Sequence, residues 1–263
     1  MTSGDVIGNY RIVRALEDDG LAITYEAQQI NLADRKVMLR ALPADLALRP
    51  DLVEIFRSEA EIALSLRHPN IAPVFEMGVE AGTHFFSLPF LEGRRLEAII
   101  RLGAIAPAAA LPVIRQMASA LDYAHSRGVI HGDLKPANII IDFDGRVSLI
   151  RFRKRASGNP VVDRPVYMAP ERIRDGEMDH RADIYSLGVI AFEMLAGRAP
   201  FWSDDFHTMM RKKFFEPPPQ ASLSNPELSE SVDAALCGAL GSNPDQRYQR
   251  ALALADALEE AKA

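Results

Sequence analysis

Apolar and polar positions are mostly strand-like in rhythm before Gly93 and helical after it. Before Gly93, the stretches Tyr10 to Leu16, Ile23 to Gln29 and Lys36 to Leu42 are β-branched or apolar alternations separated by Asp-Gly or Asn/Asp loops. That pattern predicts a small twisted antiparallel sheet. Two further strands are expected around Val74 to Met77 and His84 to Phe90. Between Asp51 and Arg67 the period turns helical, with Ile55, Phe56, Ile62, Ala63 and Leu66 on one face behind Pro50 and Asp51 as start signals. Glu59 shares that face, so its carboxylate points at the core and calls for a cationic partner. After Leu91-Glu92-Gly93 the helical period dominates. Pro107 to Arg127 (Leu111, Ile114, Met117, Ala118, Leu121, Ala124, stopped by Gly128) and Asp179 to Ala196 (stopped by Gly197) read as core helices. Shorter helices are expected at Asp205 to Lys212, Ser229 to Gly238 and Arg247 to Ala261.

Composition narrows the class without naming it. Of 263 residues, 48% are hydrophobic and 25% charged, with a net charge of −6, the balance of a globular protein with a core. Acidity argues against a nucleic-acid partner. No apolar run reaches the roughly 18 residues of a spanning helix, and Met1 to Asn9 lacks a signal-peptide pattern, so a cytoplasmic chain is expected. The single cysteine, Cys237, is expected to be a small buried residue with no role. Charge is uneven: five basic residues, Arg151, Arg153, Lys154, Arg155 and Arg164, face one acid over residues 151–164. The ordinary reading is a solvated face.

The run His131-Gly132-Asp133-Leu134-Lys135-Pro136-Ala137-Asn138, followed by Ile139-Ile140-Ile141, carries the specific signal. It resembles the catalytic loop of eukaryotic-type protein kinases, with wording closest to the bacterial Ser/Thr kinases. His68-Pro69-Asn70-Ile71, Tyr167-Met168-Ala169-Pro170-Glu171 and Asp183-Ile184-Tyr185-Ser186-Leu187-Gly188 resemble further family segments. The resemblance implies an α+β, bilobal fold in a single domain over residues 1–263. A β-rich N-lobe with one regulatory helix would span 9–91, a hinge 89–93 and a mainly α C-lobe 94–260. It also implies a structural pair between Arg247 and Glu171, a structural role for Asp183, and catalytic positions at Asp133, Lys135 and Asn138.

The nucleotide-handling positions depart from the family. Glu17, Asp19 and Ala22 align with the three glycines of the phosphate loop, so carboxylates stand where backbone amides approach phosphate. Each like-charge contact at ~4 Å costs roughly 4 kcal/mol at an effective dielectric of about 20, less when screened. Arg40, in Val37-Met38-Leu39-Arg40, replaces the phosphate-bridging lysine and suits a fork onto Glu59. Met38, on the same side of the strand, narrows an adenine slot whose other walls are Thr24, Leu88 and Ile140. Arg151-Phe152-Arg153 aligns with Asp-Phe-Gly, so a cation replaces the metal aspartate and Asn138 alone is a weak anchor for magnesium. Asp142 and Asp144 fit a hairpin turn better than a substitute metal site. Arg164 replaces a family threonine, Gly132 an arginine that senses loop phosphate, and Ser157 is the only hydroxyl between Arg151 and Pro165.

The expected function is a pseudokinase, a regulatory or scaffolding module in phosphorylation-linked signalling, with Asp133, Lys135 and Asn138 vestigial. ATP binding is expected to be weak at most and magnesium unbound. Two alternatives stand beside it: a weak or atypical Ser/Thr kinase, and a nucleotide or anion sensor without turnover. Arg40 and Arg151 are expected to converge near Glu59, balanced by Asp133, by the Glu17 to Asp19 loop folding down as an internal phosphate mimic, or by a bound anion. His125 and His131 are read as packed loop residues. A protein partner is expected on the helix bearing Glu59, the basic segment, or the region of Phe201, Trp202, Phe206, Phe214 and Phe215, which otherwise supplies core. The chain is read as cytoplasmic, with the cytosolic part of a longer protein as the alternative.

Overall fold

The computed structural model describes residues 2–32, 35–153, 165–174 and 178–262. They cluster into two compact units, one of residues 2–92 with 151–153, the other of 93–150 with 165–262. Lys154, Arg155, Ser157 and Arg164 lie outside the described residues.

The first unit is a six-stranded antiparallel sheet with one long helix. Its strands are β1 (Val6–Ile7), β2 (Tyr10–Asp18), β3 (Ile23–Gln29) and β4 (Arg35–Ala41), followed by helix α1 (Pro50–Ser65) and then β5 (Glu76–Glu80) and β6 (Thr83–Pro89). They lie in the order β1-β2-β3-β4-β6-β5. Alternation along β4 decides what each face does. Val37, Leu39 and Ala41 join Tyr10, Ile12, Tyr25, Ala27 and Phe85 in one apolar cluster. Met38 and Arg40, one residue out of phase, are buried apart from it, with Leu88 and Phe86 opposite them on β6 and Thr24 opposite Arg40 on β3. Helix α1 begins with Pro50 in its first turn, where a missing N–H costs nothing, and buries Ile55, Phe56, Glu59 and Ala60. Phe56 packs on Phe86 at 5.1 Å between ring centroids.

The second unit is mostly helical. It contains β7 (Arg94–Arg95), α2 (Leu96–Ile100), α3 (Pro107–His125), β8 (Ile139–Ile141), β9 (Val147–Leu149), α4 (Pro170–Ile173), α5 (Arg181–Ala196), α6 (Phe206–Phe215), α7 (Glu230–Leu240) and α8 (Ala251–Lys262). Helix α5 is buried nearly all round and ends on Gly197 in a left-handed cap at φ +77°. Strands β8 and β9 form a hairpin in which Asp142 Oδ1 accepts from the Asp144 and Arg146 amides, the turn role expected for this acid. Among the described residues no helix is long and apolar enough to cross a membrane.

Several boundaries differ from the expectation for local reasons. The strand expected at Val74 starts at Glu76, although the Phe75 amide before it already donates to the Ser87 carbonyl at 2.8 Å. The helix expected from Arg247 begins at Ala251, whose amide donates to Asp122 Oδ1 on α3, while Arg247 is spent on a distant carboxylate. Helix α5 starts at Arg181, with Asp179 Oδ1 accepting from its amide. The short elements β1, β7, α2 and α4 lacked a clear period. Phe201 is core at 6% exposure, but Trp202, Phe206 and Phe215 are 44%, 49% and 78% exposed, so the aromatic run is not the core expected. Cys237 is half-buried rather than buried.

Lys213 on α6 is a buried cation, one turn from the buried Met209 on the same face of the helix. Its Nζ donates to the carbonyls of Pro165, Val166 and Met168 at 2.6, 2.6 and 2.7 Å, using all three ammonium protons. Burial pushes the ammonium down to about 7, and Glu171 pulls it back up. Replacing the ammonium by a thioether leaves three carbonyls without that donor. Lys213→Met is therefore expected to speed hydrogen exchange of the Val166 to Ala169 amides by at least about tenfold, since exchange reports local opening. Unchanged exchange there would show that Lys213 does not hold the segment.

Candidate functional site

Arg40 is fixed before any ligand is considered. It projects from the middle of β4, 2% exposed, with Nη1 donating to Thr24 Oγ1 at 3.1 Å. Its Nε lies 3.3 Å from Glu59 Oε1 and its Nη2 donates to Glu59 Oε2 at 3.4 Å, the fork expected of a guanidinium on the helix carboxylate. Met38 and Leu88 face each other across β4 and β6, and Thr24 faces Arg40 across β3 and β4. These four expected wall and clamp positions are thus brought together with Glu59.

The acids of the β2–β3 turn do not face outward as a group. Asp18 is exposed, with its Oδ1 accepting from the Gly20 amide, and Gly20 takes the left-handed backbone (φ +79°) that closes the turn. Asp19 turns the other way. Its Oδ1 accepts from the Leu21 and Ala22 amides at 3.1 and 2.8 Å, tying the carboxylate to its own hairpin. Its Oδ2 lies 3.2 Å from Arg40 Nη2, 3.5 Å from Arg151 Nη1 and 3.1 Å from Arg153 Nη2. Glu17 Oε2 accepts from Arg151 Nη2 at 2.5 Å. The acidic turn is thus folded down onto the arginines, one of the three arrangements expected.

Arg151 and Arg40 converge, but through Asp19. Arg153, read from sequence only as part of a charge run, is the cation whose Nε comes within 3.9 Å of Glu59. The cluster thus sets Arg40, Arg151 and Arg153 against Glu17, Asp19 and Glu59. Arg151 is 7% exposed and, unlike most non-glycine residues, has φ +66°, a conformation costing about 1–3 kcal/mol that only surrounding interactions maintain. Burial and then the like charge of Arg40 push the Arg151 guanidinium down, against the pull of Asp19, Glu17 and Glu59. Burial alone raises the Asp19 carboxyl; Arg40, Arg151, the Ala22 amide and Arg153 outweigh it and hold Asp19 well below the usual carboxylate range. Among the described residues no group of three or more His, Cys, Asp or Glu side chains is arranged to hold a metal ion.

The remaining expected residues belong to the second unit. Asp183, at the start of α5, accepts from the His131 amide at 2.7 Å, the Gly132 amide at 3.1 Å and His125 Nε2 at 2.8 Å. Gly132 takes φ +75° there. Burial opposes the Asp183 charge, yet these donors and His131 keep its carboxyl below the ordinary value. Burial pushes the His131 imidazole down, and its Nδ1 accepts from the Asp133 amide, so both histidines hold the loop. Asn138 Nδ2 donates to the Asp133 carbonyl at 2.7 Å and to Asp133 Oδ2 at 3.2 Å, and Lys135 Nζ lies 3.6 Å from the same Oδ2. The three expected catalytic side chains are assembled around one carboxylate. Ile140 is buried on β8. Arg247 donates to Glu171 at 2.8 and 2.7 Å, a bidentate pair on α4.

Asp19 gives a signed pH dependence. Its folded pKa is depressed, so its contribution is complete above the unfolded value near about 4 and is lost as pH falls toward the lower folded value. Asp19→Asn is expected to cost about 3 kcal/mol at pH 7, because it strips a carboxylate from buried guanidiniums, and to flatten the acid limb of stability. Urea midpoints of both proteins at a series of pH values down through 4 check this. Parallel pH profiles would contradict it.

A protein kinase domain model matches residues 34–258. The Ser/Thr protein kinase PrkC of Bacillus subtilis is 33% identical over 255 residues, covering 94% of this chain and 39% of that protein. The Ser/Thr protein kinase PknH of Mycobacterium bovis is 33% identical over 267 residues, covering 98% and 45%. The chain thus spans less than half the length of these curated relatives. The crystal structure of the Mycobacterium tuberculosis PknI kinase domain superposes with a TM-score of 0.79 at 27% identity, covering 99% of this chain and 99% of that one. With a β-rich unit carrying Arg40 and Glu59, a helical unit carrying the Asp133 loop, and these matches along nearly its whole length, the chain belongs to the protein kinase family.

Proposed function

We propose that this domain is a kinase-fold regulatory module, a pseudokinase, that works through a protein partner in phosphorylation-linked signalling. The observation that carries the reading is Arg151, standing at the family's metal-aspartate position and bonded to Glu17 at 2.5 Å. A guanidinium has no lone pair for a cation, and the nearest carboxylates, Glu17 and Asp19, are committed to arginines. The residues present therefore do not fit magnesium. Asp133, Lys135 and Asn138 keep their mutual geometry, but a base accomplishes nothing without an aligned phosphoryl donor.

A second reading is Ser/Thr phosphotransfer, and the relatives named as Ser/Thr protein kinases weigh toward it. The assembled loop around Asp133 is its structural support. The two readings part on one assay: the purified domain incubated with γ-labelled ATP and Mg²⁺ or Mn²⁺, alone and with a general protein substrate. The regulatory reading expects label no higher than in Asp133→Asn. Transfer that Asp133→Asn reduces by about a hundredfold or more, the scale of acid–base catalysis, would instead establish the kinase.

A further inference from the structure

The first unit holds a cavity of about 480 Å³, within the size range of small-molecule sites, where β2, β4 and β5 begin and α1 ends. No member of the arginine cluster lines it. Three large apolar side chains from separate segments converge there and are exposed: Leu32 after β3, Leu64 near the end of α1 and Phe75 before β5. Such surface gains free energy when a solute covers it. Tyr10 supplies a buried wall, its hydroxyl donating to Glu76 Oε2 at 2.8 Å and lying 2.8 Å from Ser87 Oγ. Two opposite charges line the same cavity without meeting. Arg35 is in phase with Val37 and Leu39 on β4, which turns it to the face of Tyr10, and its guanidinium lies over the Phe75 ring at 4.3 Å. No carboxylate among the described residues, Glu76 included, forms an ion pair with it. Glu76 uses one oxygen for Tyr10 and keeps lone pairs for a further donor. Burial raises the Tyr10 hydroxyl, the Ser87 bond lowers it, Glu76 raises it and Arg35 lowers it, so both charges act on this one wall. Arg67 also lines the cavity and is already engaged.

A simple anion would gain Arg35 but meet the Glu76 carboxylate, and a simple amine would meet the guanidinium instead. A solute that carries both charges next to an apolar group answers every feature of the wall, and the mismatched charge turns away the others. We propose that this cavity binds a free α-amino acid with a large apolar side chain, its carboxylate on Arg35, its ammonium on Glu76 and its side chain against Leu32, Leu64 and Phe75. Guanidinium and carboxylate pair as a fork, and stacking on Phe75 holds the guanidinium ready for it. Binding is reversible, and no bond is made or broken. The site depends neither on whether the domain transfers phosphate nor on how the arginine cluster is balanced, so its test stands apart from the regulatory reading.

Isothermal titration tests each contact with four probes: L-phenylalanine, hydrocinnamate, which lacks the ammonium, phenethylamine, which lacks the carboxylate, and glycine, which lacks the side chain. L-phenylalanine is expected to bind at least about tenfold more tightly than each of the others, a factor of ten being about 1.4 kcal/mol. Arg35→Gln is expected to weaken L-phenylalanine at least about tenfold without weakening phenethylamine, and Glu76→Gln to weaken it as much without weakening hydrocinnamate. Hydrocinnamate or phenethylamine binding as tightly as L-phenylalanine would overturn the proposal. So would variants that weaken every probe alike, because that pattern reports a disturbed wall rather than a lost charge. Absence of L-phenylalanine binding up to about 10 mM, beyond the weak end of specific affinities, would overturn it as well. If circular dichroism shows Glu76→Gln unfolded, Arg35→Gln on the exposed side of the cavity must by itself separate L-phenylalanine from phenethylamine. Sedimentation equilibrium covers the other occupant: a dimer that Leu64→Asp disperses and L-phenylalanine leaves intact would show a second copy on the cavity and would overturn the proposal.

Discussion

A buried guanidinium must be neutralised, and in this chain that requirement organises the first unit. Arg40 sits in the middle of a sheet, Arg151 is held in a left-handed backbone conformation, and Arg153 stands two residues further on. Leaving such charges unpaired costs several kcal/mol each. The chain answers with one carboxylate from helix α1, one from the end of β2 and one from the β2–β3 turn. Two of these acids also serve a local purpose: Asp19 bonds the amides that close its hairpin, and Glu59 fixes α1 against β4. The residues of this charged cluster therefore also hold the unit together.

The second unit meets the same demand with different chemistry. Asp183 gathers two backbone amides and an imidazole, which sets the course of the loop before Asp133, and Arg247 closes on Glu171 with two parallel bonds. Lys213 satisfies three carbonyls. These interactions hold the loops and helix ends of the helical unit in place. Retained loop geometry and altered charge coexist because different contacts hold them.

Much of this was legible from residue order. Period-two alternation placed β2, β3 and β4, and the out-of-phase positions on β4 put Met38 and Arg40 on the face turned away from the apolar cluster. Glu59 announced a cationic partner because it interrupts an apolar helical stripe. The Arg247 and Glu171 pair came through family resemblance, not spacing. Other features depend on contacts distant in sequence. Arg153 looked like one member of a charge run, and only its i, i+2 spacing from Arg151 hinted at a shared target. The acidic turn was one of three ways to balance the arginines, and nothing local distinguishes them. Lys213 shares a helix face with Met209, but the carbonyls it reaches lie 45 to 48 positions earlier and no local pattern names them. The aromatic run from Phe201 shows the converse, since apolar residues need not be interior.

The central claim is that the acidic side chains at the end of β2 and in the β2–β3 turn are energetically coupled to Arg151 in solution. A double-mutant cycle on Glu17→Gln and Arg151→Gln, read from urea unfolding at pH 7, measures that coupling directly. The expected coupling energy is about 1–3 kcal/mol, as for partners in one buried network. Effects that simply add, to within about 0.3–0.5 kcal/mol, would mean that the two side chains act independently and that the arginine cluster is not closed by the acidic turn.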